Sequence, residues 1–221
     1  MGDATQEIIE RIAVESPYIN WNEHIQRRPD VMREHSDMPD YLLKPEINRL
    51  RMRESHPTYR LIIDLMWATG ARISELLQIV SSDFVQEKFG YSLDVRSVRT
   101  HAVVESNTLG RVINIYDPSL VERVRTYISA NQLGPDDEMF SMSRQNVNLH
   151  ISGLVNQDDS IPFSVSANTI RHSFAVNCLL HGLPLVVVRD LLGHSSTKST
   201  EIYSSVIDYN NEHWLRAVSI D

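Results

Sequence analysis

The sequence predicts a mainly α fold with one small antiparallel β-sheet set into it. Most of the chain falls into stretches with apolar residues at helical spacing, several opened by proline and closed by glycine. One central region, "YSLDVRSVRTHAVVES" followed by "GRVINIY", is instead rich in β-branched residues that partly alternate. No internal repeat or low-complexity tract interrupts this order of helices, sheet and helices again.

Residues 1–40 read as a short N-terminal appendage and linker, and residues 41–221 as the main domain. "TQEIIERIAV" suits a short helix, and the charged "RRPDVMREHSDMPD", with two prolines, reads as linker. "KPEINRLRMRE" places a proline at a first helical position. "PTYRLIIDLMWATG" does the same, with a stripe of Leu61, Ile62, Leu65 and Met66 and Gly70 as its stop. "ARISELLQI" starts a third helix. The β-branched region gives two or three strands, with "NTLG" as the tight connection before the last. In "DPSLVERVRTYISAN", Asp117 caps, Pro118 opens, and Leu120, Val121, Val124 and Ile128 form the stripe. Helices follow at "RQNVNLHISGLV", "SANTIRHSFAVNCLLHG" (ended by Gly182), "PLVVVRDLLGH" (opened by Pro184, ended by Gly193), "STKSTEIYSSV" and "NNEHWLRAVSI".

Composition narrows the class. At 221 residues, 42% hydrophobic and 23% charged, the chain suits one ample globular domain. No apolar run approaches the roughly 20 residues of a membrane span, and "MGDATQEIIERIAVE" lacks the apolar core of a signal peptide, so no membrane partner is expected. The single Cys178 sits in an apolar run and allows no internal disulfide, in keeping with a cytoplasmic location. The net charge of −8 argues mildly against nucleic acid, but nine of the 29 acids lie in the first 40 residues, so the main domain is less acidic than the total.

There is no glycine-rich phosphate loop, no cysteine pair and no HExxH spacing, so neither metal nor cofactor is expected. His172, beside Arg171, reads as a packed or capping histidine. Two arginines, a histidine and a tyrosine remain. Arg72 follows the helix break "ATG", Arg171 lies in "NTIRHSF", His194 follows Gly193, and Tyr203 follows His194 by nine residues. Together they suit substitution at a phosphodiester. Guanidinium forks hold the non-bridging oxygens bidentately, a histidine adds a hydrogen bond or moves a proton, and a phenol attacks phosphorus and conserves the bond energy.

"ATGARISELLQI" and "IRHSFAVNCLLHGLPLVVVRDLLGHSSTKSTEIYSSV" resemble the catalytic domain of the tyrosine recombinases, the phage-integrase family, with strong blocks at 68–79 and 168–206. The 23-residue step from Arg171 to His194 and the nine-residue step to Tyr203 are usual in that family. The resemblance implies the recombinase catalytic fold, with Arg72 and Arg171 as phosphate-clamping arginines, His194 as the histidine of "LLGH", Tyr203 as nucleophile and Glu75 as support for Arg72. It implies double-stranded DNA as substrate, self-association on DNA through the segment after the tyrosine (here with Trp214, Leu215 and Val218 as its apolar stripe), and accessory DNA-bending proteins as a further class of partner. Arg96, Arg99, Arg111, Arg189 and Lys198 are candidates for the DNA face, Arg111 also matching a structural hairpin arginine of the family. Gly193 is expected to turn His194 toward the phosphate, and the polar helix after it to hold Tyr203 out toward DNA rather than in the core.

The pattern departs from the family in three places. The family's His-x-x-Arg box reads Asn168-Thr169-Ile170-Arg171, and an amide neither gives nor takes a proton at working pH. The stretch "VVESNTLGRVINI" has no lysine, with Ser106 at or near the family's hairpin lysine, and Lys88 is a poor substitute. The first forty residues are too few for the family's DNA clamp, although small relatives without it exist. Two readings stay open at this point: an active recombinase working through a 3′-phosphotyrosine, or a DNA-binding regulator on the same fold with weak or lost catalysis.

Overall fold

Two apolar helical stretches of the sequence, around Ile62 and Ile170, pack on each other and form the spine of the domain. The computed structural model describes residues 19–87, 90–95, 110–156 and 160–207. In chain order the elements are α1 (Trp21–Glu34), α2 (Lys44–Arg53), α3 (Pro57–Thr69), α4 (Ile73–Leu76), a 3-10 turn (Ser81–Asp83), β1 (Phe84–Glu87), β2 (Gly90–Val95), β3 (Arg111–Ile115), α5 (Pro118–Ala130), α6 (Arg144–Val155), α7 (Ala167–Leu180), α8 (Leu185–Leu192), α9 (Lys198–Glu201) and a 3-10 turn (Ile202–Val206). The fold class is the one the sequence predicts.

Local chemistry explains most of the boundaries. Asp117 caps α5 by accepting from the Ser119 amide, Ser143 caps α6 by accepting from Asn146, and Ser166 and Thr169 exchange capping bonds at the start of α7. Gly70 ends α3 with φ +62°, and a Cβ there would lie 2.3 Å from the Phe174 ring. Gly193 ends α8 with φ +64°, where a Cβ would meet the Arg111 guanidinium at 2.8 Å. Both stops therefore need glycine for its backbone and for its missing side chain. The sheet is an antiparallel meander, β1-β2-β3, with Leu93 opposite Ile113 and Tyr91 opposite Ile115. Its buried face, with Leu93, Val95, Ile113 and Ile115, joins the core around α3, α5 and α6.

A second cluster lies on the other side of α7. Phe174, Val176 and Leu179 meet Val188, Leu192, Tyr203 and Val206 there, together with Met38, Tyr41 and Leu43. Buried charge ties the helices together. Asp64 on α3 is 2% exposed and is approached by Arg51 from α2, by Arg60 at 3.3 Å and by Arg123 from α5 at 2.8 Å.

Three expectations are corrected. The third helix, read over "ARISELLQI", is the four-residue α4. The chain then turns so that Ile79 accepts from the Met139 amide, and Val80 bridges to Glu138. Strand β1 was not foreseen, because its pattern is exposed apart from a half-buried Phe84 and gives no alternation. The segment read as linker contains most of α1, which packs Trp21, Ile25 and Met32 on the second cluster. Its anchor is Arg28, 4% exposed, paired bidentately with Glu46 at 2.6 and 2.9 Å and donating to the Tyr41 carbonyl at 3.1 Å. A charged residue thus occupies the buried face of α1, which is why hydrophobic periodicity misses the helix. The helices read over "TQEIIERIAV" and "NNEHWLRAVSI", the "NTLG" turn, Ser106 and Lys88 lie outside the described residues.

Arg28→Ala leaves the Glu46 carboxylate buried without its partner. The expected loss is about 3–5 kcal/mol of unfolding free energy, read by urea denaturation, with faster proteolysis in residues 21–34.

Candidate active site

Arg72, Arg171, His194 and Tyr203, read from separate stretches of the sequence, line one cleft of about 600 Å3 together with Ile73, Ser74, Arg144, Asn148, Asn168 and His172. Arg72 comes from the N-cap of α4, Arg144 from the first turn of α6, and Asn168, Arg171 and His172 from α7. His194 follows the glycine stop of α8, and Tyr203 lies in the 3-10 turn after α9. The lining holds three arginines and two histidines and no carboxylate.

Among the described residues, the acid that contacts these arginines sits behind them. Glu75 is 4% exposed. It accepts from the Arg72 amide at 2.7 Å and the Arg72 guanidinium at 2.9 Å, and from the Arg111 fork at 3.1 and 2.9 Å. Burial alone would raise its pKa. The hydrogen bond and charge of Arg111, with those of Arg72, outweigh burial and hold the carboxyl below its ordinary value of 4.5. Arg111 also donates to the Leu191 carbonyl at 2.7 Å. Arg171 donates to the carbonyls of Gly70 and Leu192, both at 2.7 Å, and lies 4.0 Å from Glu75. The two glycine-stopped helix ends therefore supply the carbonyls that aim it. Burial, then the charge of Arg72, pull Arg171 down to about 9, so it remains a cation at neutral pH.

His194 shares a hydrogen bond of 2.9 Å between Nδ1 and the Thr200 hydroxyl. Burial, then the charges of Arg171 and Arg72, lower it to about 4, so it is neutral at pH 7. The expectation for Tyr203 is corrected: the side chain is 2% exposed, one of the largest fully buried in the described residues. Its ring packs in the second cluster, and its hydroxyl lies 2.6 Å from His172 Nδ1. The turn that carries it repeats every three residues, so Tyr203 and Val206 both face inward, in line with Thr200 at the end of α9. Burial pushes the phenol up to about 12 against the opposing charges of Arg171 and Arg72.

His172 and Arg144 were missed as pocket residues. His172 stands four residues after Asn168 on α7, one turn along the same face, and that spacing was the available signal. Arg144 gave none, since the first position of a polar helix is ordinarily solvated. Among the proposed DNA-face residues, Arg111 is turned inward onto Glu75, Arg189 pairs with Asp190 at 2.6 Å, and Lys198 is exposed. Arg96 and Arg99 lie outside the described residues.

Glu75→Gln removes the charge that offsets these guanidinium groups. A loss of about 3 kcal/mol is expected at pH 7. Because the folded carboxyl titrates below its unfolded value of 4.5, this contribution is full above that value and is lost as pH falls through the folded pKa. The gap between wild type and variant in urea midpoints therefore narrows in acid.

Residues 41–209 match the model of the phage integrase family. A resolvase of Escherichia coli is 26% identical over 196 residues, covering 78% of this chain and 75% of the relative. The fold resembles that of the XerH site-specific recombinase bound to its difH substrate (TM-score 0.67, 19% identity), covering 82% of this chain and 54% of that one, so this chain spans about half of XerH. It also resembles the catalytic domain of bacteriophage HP1 integrase (TM-score 0.56, 18% identity), covering 80% of this chain and 94% of that one. With the family matched across most of its length, the chain belongs to the phage integrase family.

Proposed function

We propose that this protein is a site-specific DNA strand transferase. The observation that carries the reading is the gathering of Arg72, Arg171, His194 and Tyr203 around one cleft without a carboxylate in its wall. Such a wall favours an anion, and a DNA phosphodiester is a compact one. Arg72 and Arg171 hold its non-bridging oxygens and meet the charge that develops on them during substitution. His194 adds a hydrogen bond. The Tyr203 oxygen attacks phosphorus, forms a 3′-phosphotyrosine and releases a 5′ hydroxyl, and attack by a 5′ hydroxyl from a second duplex reverses the step. Because the phosphoryl bond is conserved in the protein–DNA linkage, the reaction needs no nucleotide cofactor.

The alternative, a regulator with lost catalysis, rests on Asn168 and on the lack of a hairpin lysine. Decay would release the burial and orientation of these groups. Instead Arg171 keeps both carbonyl partners and Tyr203 its 2.6 Å contact. Recombination requires paired duplexes, so self-association on DNA belongs to the same proposal; lambda integrase, of similar fold, is solved as a dimer on a core site.

The test starts from duplexes of random sequence enriched by binding, nicked to trap the intermediate, and resolved on denaturing gels. Wild type is expected to give a covalent adduct and Tyr203→Phe none, with DNA binding retained. Arg171→Ala is expected to slow cleavage by roughly 100-fold or more, and Arg171→Lys to recover only part of it. DNA affinity is expected to fall steeply with salt despite the acidic pI of about 5.6. A wild-type protein that binds the selected duplexes but never forms an adduct supports the regulator.

A further inference from the structure

We propose that His172 is the proton acceptor for the Tyr203 nucleophile, in the place left open by Asn168. The inference rests on the strand-transferase reading and adds to it the group that starts the chemistry. Three observations place it. His172 is the ring nitrogen partner of the attacking atom, with Nδ1 2.6 Å from the Tyr203 hydroxyl, inside the distance for direct proton transfer. It lines the same cleft as Arg72 and Arg171. It lies one helical turn beyond Asn168, whose amide cannot take a proton.

The environment keeps the ring able to accept. Burial, then the charge of Arg171, lower His172 to about 4, so the free imidazole is neutral at pH 7, while Tyr203, raised to about 12, keeps its proton. In the tautomer with the ring proton on Nε2, the phenol donates and Nδ1 accepts. The charged and titratable groups around the ring are Arg171 and Tyr203, with Arg72, Arg144 and His194 lining the same cleft. An incoming phosphate adds a negative charge to this set and makes His172 more basic as the substrate arrives.

In the cleavage step the Tyr203 O–H bond breaks and its proton passes to His172 Nδ1. The phenolate oxygen forms the bond to phosphorus, the bond from phosphorus to the 5′ oxygen breaks, and the leaving oxygen takes a proton from water. In rejoining, the 5′ hydroxyl gives its proton to water, its oxygen attacks phosphorus, and the His172 imidazolium returns its proton to the departing Tyr203 oxygen.

The test uses single-turnover cleavage of the nicked duplexes selected above, as a function of pH. Wild type is expected to reach a plateau above the titration of His172. His172→Gln and His172→Asn are expected to be slower at pH 7 by roughly 10²–10⁴-fold and to lose the plateau, their rates rising with pH as hydroxide replaces the missing base. Replacing Tyr203 with 3,5-difluorotyrosine, whose phenol ionises more readily, is expected to shrink the His172→Gln defect by an order of magnitude or more. A purely structural role predicts the same defect with either phenol and an unchanged pH profile, and that result overturns the assignment. Wild-type rates in both His172 variants also overturn it while leaving the strand-transferase reading intact, because the adduct still forms. Absence of an adduct from wild type overturns both. DNA binding and urea midpoints, measured in parallel, identify a variant that has failed to fold, and the fluorinated protein with native His172 then carries the test: a rate limited by transfer to His172 shifts its pH profile with the phenol, and an unshifted profile rejects the transfer.

Discussion

The arginines at the back of the cleft depend on one buried carboxylate. Glu75 holds the Arg72 and Arg111 guanidinium groups by direct bonds and sits 4.0 Å from Arg171. Without it, like charges drawn from α4, β3 and α7 would face one another in a partly dehydrated space, a repulsion that folding would have to overcome. Its single negative charge does not balance three positive ones. The residual charge is directed toward the cleft, because Glu75 stands behind the arginines rather than among the lining residues. The fold thus maintains a concentrated positive site inside a chain whose net charge is −8, and whole-chain charge says little about what this surface binds.

The same carboxylate connects the layers. Through Arg111 it reaches β3 and the Leu191 carbonyl at the end of α8. Arg171 joins the neighbouring Leu192 carbonyl to that of Gly70 at the end of α3. The glycine stops free those carbonyls from further helix, and the arginines use them as anchors. Gly193 admits the Arg111 side chain where a Cβ would collide with it. Helix termination, sheet placement and the geometry of the arginines are therefore one constraint, and the sheet serves the site by carrying Arg111.

Local signals were legible in the sequence, and contacts across the chain were not. Caps and stops at Asp117, Gly70 and Gly193 follow from backbone chemistry within a few residues, so their elements could be read directly. Arg72, Arg171, His194 and Tyr203 could be picked out because their spacings resemble a family. The burial of Tyr203 was misread because "STKSTEIYSS" is polar on average, whereas a 3-10 turn buries every third residue and needs only Tyr203 and Val206, after Thr200 in α9, to suit the core. Helix α1 escaped notice because its buried face is anchored by an ion pair with Glu46, and no periodicity of apolar residues records such a partner. The role of Arg111 depends on Glu75, 36 positions away, and no local pattern carries that information.

The burial of Tyr203 fits this electrostatic frame and the nucleophile's role proposed for it. The Tyr203 ring is fixed by the core, so the position of its oxygen costs little further entropy when DNA binds. Its reactivity is held low at the same time, since burial raises the phenol to about 12. Arg171 and Arg72 oppose that rise, but a bound phosphate engages the same arginines and weakens their help to the phenol. What the phosphate takes from Tyr203 it gives to His172. At an effective dielectric near 20, a unit charge about 4 Å away is worth roughly 4 kcal/mol, or about three pK units, enough to bring an imidazole from about 4 back to its ordinary basicity. On the proposed mechanism, the free protein keeps its tyrosine inert, and the base beside it gains strength only when the phosphate is in place.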